Sequence, residues 1–154
     1  MSLAELNWGS GGSTAYMYGR DSMIDSECAA DYDPWAHADD LGAPLVYRAD
    51  LPLAQMVACY SNRHRAIFVR SGLTNAVERC AVAHELVHYE HRDIGTTTSQ
   101  ERRADRIAAQ RLIRPSKLSE VMSITEDIGR AALDLEVTER VMRTYLRFHT
   151  HWTL

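Results

Sequence analysis

The chain has 154 residues, 45% of them hydrophobic and 25% charged, with a net charge of −4. That composition fits one soluble globular domain with at most a small appendage and excludes a disordered or collagenous chain. No apolar run approaches the roughly 20 residues of a membrane-spanning helix, and Met1-Ser2-Leu3-Ala4-Glu5 lacks the basic and apolar stretches of a secretory signal, so no membrane partner and a cytoplasmic setting are expected.

Three cysteines, Cys28, Cys59 and Cys80, are widely spaced and form no C-x-x-C pair, which favours reduced thiols over a disulfide scaffold. The charge is unevenly spread. Residues 1–60 carry two cations against nine carboxylates, net −7; residues 61–115 carry ten arginines against six acids, net +4; residues 116–154 net −1. The arginines are interleaved with acids, so direct nucleic-acid binding is not expected.

In chain order, residues 1–30 contain Gly9-Ser10-Gly11-Gly12-Ser13 and an Asp-rich stretch and read as a flexible acidic arm. A short helix is predicted over Trp35–Leu41, entered after Pro34 and stopped by Gly42. Three β-leaning runs follow, Leu45–Arg48, Met56–Tyr60 and Arg65–Arg70, the last two flanking the polar turn Ser61-Asn62-Arg63-His64. They predict a small antiparallel sheet, with Arg65–Arg70 as an edge strand. Leu73 to about His91 reads as a helix, with Thr74 or Asn75 able to cap it and Val77, Ala81, His84 and His88 at i, i+4 spacing. A second helix is predicted from about Ser99 to Ile113, ended by Pro115, with Ala104, Ala108 and Ala109 as a small-residue face. Further helices are expected near Ser116–Ser123, Glu126–Leu135 and Thr138–Phe148. The expected fold class is α+β: the sheet packs on a metal-binding helix pair within a core spanning residues 31–115, and residues 116–154 add a helical extension.

The chemistry concentrates in His84-Glu85-Leu86-Val87-His88, an H-E-x-x-H motif inside a predicted helix. Spacing i, i+4 puts both imidazoles on one face, where they can share a metal, while Glu85 projects about 100° away and can reach a metal-bound water. Twelve residues separate His88 from Glu101-Arg102-Arg103-Ala104-Asp105, which again offers an i, i+4 pair. One carboxylate can complete a His₂Glu set and the other can accept the distal N–H of a ligating imidazole, leaving a fourth metal position open for catalysis. The implied reaction is metal-assisted hydrolysis, with Glu85 as general base and Asp105 orienting an imidazole. A peptide substrate would add to the expected edge strand through Ile67, Phe68 and Val69. Tyr60, His64 and Tyr89 are nearby candidates for oxyanion stabilisation.

Plainer readings exist for each residue. His84 and His88 fit a hydrogen-bonded core pair. Glu101 fits a capping box with Thr98, although Thr97 with Gln100 would do the same work. Asp105 fits a surface ion pair with Arg102 or Arg106. His91 lacks the metzincin spacing, because His occupies the Gly position and Ile94 the last ligand position, and it reads as a helix C-terminal cation. Cys80 reads as a buried thiol, Cys28 as a remote candidate for a thiolate switch, and His149 and His151 as part of a fraying end. Leu133–Thr138 hints weakly at helix-turn-helix, against a net charge of −1 in its region.

His84-Glu85-Leu86-Val87-His88, then Glu101-x-x-Ala104-Asp105-x-x-Ala108-Ala109, then Leu112-Ile113-Arg114-Pro115, resembles the ImmA/IrrE family of gluzincin-type zinc peptidases of phages, mobile elements and bacteria. The resemblance covers about residues 34–115. It implies one Zn²⁺ per chain held by His84, His88 and Glu101, Glu85 as general base, and site-specific cleavage of a helix-turn-helix repressor. Val87 stands where the family usually has Gly, which would narrow the space beside the metal, and the acidic arm has no counterpart there. The alternative expectation is a non-proteolytic, metal-containing regulator that binds a repressor or another protein. The −7 region would serve as a cover or partner-selecting surface for the +4 core.

Overall fold

The computed structural model describes residues 31–149. The expected acidic arm, Cys28 and His151 lie outside the described residues. The fold is α+β: the described residues form a three-stranded mixed sheet and six helices. Among the described residues no helix is long and apolar enough to cross a membrane.

Helix α1 (Pro34–Leu41) starts where Asp33 accepts from the Trp35 and Ala36 N–H groups and ends at left-handed Gly42, where a side chain would be strained. Strands β1 (Leu45–Arg48), β2 (Ala58–Ser61) and β3 (Ala66–Arg70) follow. The expected β2–β3 hairpin is present, with Cys59 opposite Phe68. The sheet is not wholly antiparallel. β3 lies in the middle, antiparallel to β2 and parallel to β1, with Leu45 opposite Ile67. The connection between β1 and β2 crosses the sheet end, held by Arg70, whose guanidinium donates to the carbonyls of Ala49, Leu53 and Met56.

Helix α2 (Asn75–His91) buries Ala81, Val82 and Leu86 against Ile67 and Val69 of β3, Ala58 of β2 and Ala38 of α1. Each such large aliphatic side chain contributes about 1.5–3 kcal/mol by leaving water. Helix α3 (Thr98–Leu112) lies against α2, where Ala104, Ala108 and Ala109 are buried and permit close approach. Pro115 stops α3 as expected and also opens helix α4 (Pro115–Ile124) at its first turn, where a missing N–H costs nothing. Helices α5 (Ile128–Asp134) and α6 (Glu139–Phe148) complete the chain. A second core cluster joins Cys80 and Ala83 of α2 and Ala108 and Leu112 of α3 to Leu118, Ala131, Met142 and Tyr145. The C-terminal helices and the α2–α3 pair thus share one interior. His149 stacks on Tyr145.

Candidate metal centre and cleft

The i, i+4 spacing of α2 places His84 and His88 side by side, with their Nε2 atoms 3.1 Å apart. Glu101, in the first turn of α3, brings one carboxylate oxygen to 3.3 Å from His84 Nε2 and the other to 3.2 Å from His88 Nε2. Glu101 is free to do so because the capping box is built from Thr97 and Gln100. These three residues form a group that can hold a metal ion.

The ring nitrogens turned away from this group are also engaged. His84 Nδ1 lies 3.1 Å from Asp105, as the i, i+4 carboxylate pair led one to expect. His88 Nδ1 lies 2.7 Å from Asp93, which the sequence reading missed. An ionised carboxylate only accepts, so each Nδ1 carries a proton, and in the neutral form of either ring Nε2 is a bare lone pair. Two lone pairs and a carboxylate meeting at 3.1–3.3 Å repel one another unless a metal ion or a proton joins them. The spacing suits one: metal bonds of about 2.0–2.1 Å at tetrahedral angles set ligand atoms about 3.3 Å apart.

Glu85 points to the sheet. Its Oε2 accepts from the backbone N–H of Tyr60 at 2.7 Å. Burial pushes the Glu85 carboxyl above its ordinary range, against the opposing pull of His84, His88 and the Tyr60 N–H. For His84, burial disfavours the charged ring, but the hydrogen bond to Asp105 and the carboxylates of Glu85 and Glu101 prevail and raise its pKa. Burial likewise opposes the charge on Asp93 and Asp105. Hydrogen bonds from Arg103 and His88 hold Asp93 low, and those from His84 and Arg140 hold Asp105 low.

Two depressions flank the donor set, of about 610 and 400 Å³, and Met56, Ala58, Glu85 and Glu101 line both. The larger extends past Cys59 and Tyr60 of β2 to Ile94 and Gly95 in the loop after α2. The smaller lies between α2, α3 and α6, over Val77, Ala81 and Val141. Because Tyr60 N–H points to Glu85, Tyr60 and, by strand alternation, Ala58 turn their backbone groups away from β3. The free edge along the cleft is therefore β2.

That corrects the expected role of Ile67, Phe68 and Val69. β3 is paired on both sides, and Ile67 and Val69 are fully buried, so this strand offers no edge to a peptide. The oxyanion candidates are dispersed as well. The Tyr60 hydroxyl, though near the cleft, accepts from Arg65 and donates to Asn62. Tyr89 donates to the Gly42 carbonyl, and His64 packs edge-on against Phe68. Val87 is fully buried and lines neither depression, so it takes no room from the cleft. His91 bonds the Val87 carbonyl, and buried Cys80 receives the Thr138 N–H. Comparison with family models, curated proteins and solved structures yields no match.

Proposed function

We propose that the chain is a zinc-dependent endopeptidase acting on a protein substrate in the cytoplasm, with a helix-turn-helix transcriptional repressor as the substrate that the motif resemblance suggests. The observation that carries this reading is the convergence of the His84, His88 and Glu101 donor atoms beside buried Glu85, in a cleft bordered by a free strand edge. A His₂Glu set with an open position suits zinc, which when bound there supplies a Lewis acid that acidifies water and polarises a carbonyl.

The protein's own groups do the rest. Glu85 takes the proton of the attacking water and delivers it to the leaving amine, and its raised pKa suits both halves of that transfer. The Tyr60 N–H fixes the carboxylate in position, and Asp93 and Asp105 keep the imidazole Nε2 atoms open. Ala58 offers its outward N–H and C=O to an extended peptide. Depressions on both sides of the donors accommodate residues on both sides of the scissile bond, which favours internal cleavage over trimming of an end.

The decisive comparison is wild type with Glu85→Gln. The variant should retain a full metal complement while kcat on a protein substrate falls about 10²–10⁴-fold. Undiminished hydrolysis would remove Glu85 as the base. Metal analysis of Glu101→Ala tests the third ligand, since an unchanged metal content would place that ligand elsewhere.

A further inference from the structure

Asp93 is the most heavily engaged carboxylate in the described residues, and its partners have a pattern. Oδ2 faces His88 Nδ1 at 2.7 Å, Gln100 Nε2 reaches Oδ1 at 3.2 Å, and Arg103 Nη2 lies 2.6 and 2.7 Å from the two oxygens. The chain is shaped to make this possible. Arg92 adopts a left-handed conformation at the end of α2, the Asp93 N–H returns to the His88 carbonyl, and the Asp93 side chain folds back by one turn onto the His88 ring. Gln100 and Arg103 come from the first turns of α3 and bracket Glu101 in sequence.

Arg103 makes these contacts at a cost. Its Nε is buried with no hydrogen-bond partner, and a buried donor left unpaired is unfavourable. An ion pair serving stability alone would gain from an orientation in which Nε was also paired. The side chain instead holds one nitrogen across both Asp93 oxygens, which fixes the carboxylate plane against the imidazole.

We propose that Arg103, acting through Asp93, is a positioning residue that presets His88 with its Nε2 open and fixes α2 against α3 before an ion arrives. This rests on the reading of His84, His88 and Glu101 as metal ligands. A rotated or tautomerised His88 ring would direct an N–H at Glu101, 3.2 Å away, and convert a metal site into a hydrogen-bonded pair. Arg103 therefore sets the metal affinity without touching the metal.

The experiment uses the full-length protein freed of metal and two variants, Arg103→Met and Arg103→Lys. Co²⁺ binding is followed by visible absorption, and the His88 ring tautomer by ¹⁵N chemical shifts in the metal-free state. Wild type should show His88 protonated at Nδ1. Arg103→Met should bind Co²⁺ about 10–100-fold more weakly and show mixed tautomers, whereas Arg103→Lys should lie between, because an ammonium on the shorter, more flexible lysine stem keeps the charge but holds the carboxylate less firmly. Should Arg103→Met fail to fold, Arg103→Lys decides alone: a loss of affinity above about fivefold supports the proposal, and wild-type affinity and tautomer overturn it. A wild type that binds no Co²⁺ overturns the metal reading itself. A wild type that binds it, with a folded Arg103→Met within about twofold, overturns only the positioning role.

Discussion

The two histidines of the H-E-x-x-H pair are chemically alike and are supported very differently. The Asp93 side chain behind His88 is 7% exposed and is gripped from α3 by Arg103 and Gln100. The Asp105 side chain behind His84 is 27% exposed, and beyond the ring it pairs with Arg140, a side chain 75% exposed. Burial strengthens an electrostatic contact and shields it from salt, while exposure leaves it weak and adjustable. One imidazole is thus held by the folded interior and the other by a contact that solvent or a bound substrate can reach.

The sharpest way to break this contrast is Asp93→Asn. It leaves Arg103 facing a neutral amide, and unfolding in urea should report a loss of about 2–4 kcal/mol, along with weaker metal binding. Equal melting of Asp93→Asn and Asp105→Asn would show that the two supports do not differ. Metal removal acts on both arms together. With the ion present at about 100 times its Kd, chelation should lower stability by about 2.7 kcal/mol, and calorimetry with and without chelator measures it.

Asp105→Asn should cost the fold no more than about 1 kcal/mol, because its cationic partner is exposed. Arg140→Ala should be smaller again, within about 0.5 kcal/mol, and the difference should vanish in 1 M salt, where the screening length falls to about 3 Å. A salt-insensitive Arg140→Ala effect would contradict the exposed character of that arm. The pH dependence sharpens the same point. Asp93 has a folded pKa below its ordinary 3.8, so its contribution is complete above that value and is lost as pH falls through the lower folded one. As pH is lowered below about 4, the stability difference between wild type and Asp93→Asn should therefore shrink.

What the sequence discloses follows from how local each signal is. The helix carrying H-E-x-x-H and a contact from Asp105 to one of its imidazoles are periodic features, set by i, i+4 spacing on two helices and legible in the sequence, which does not say that the ring is His84. The competition for Glu101 is settled locally too, since Thr97 with Gln100 forms the capping box. Asp93 escapes notice because its role depends on a left-handed turn at Arg92, a residue type that gives no hint of one. The sheet order escapes for a different reason. A hairpin signal links β2 to β3, but nothing near Leu45–Arg48 reveals that it pairs beyond β3, and that pairing converts an expected edge into the sheet's centre. The clamp of Arg70 on the connecting segment is a contact between residues up to 21 positions apart, beyond any local pattern.

Gln100 restricts which sequences this fold tolerates. Capping boxes ordinarily accept Glu and Gln alike at their third position, since either supplies the oxygen that receives the cap N–H. Here the Gln100 Oε1 receives the Thr97 N–H and its Nε2 donates to Asp93. A glutamate would cap α3 as well as the native residue does, but it would set a second carboxylate oxygen against Asp93. In a library randomised at position 100, glutamine should outcompete its near-isosteric acid by a wide margin, although nothing in the helix-capping pattern distinguishes them.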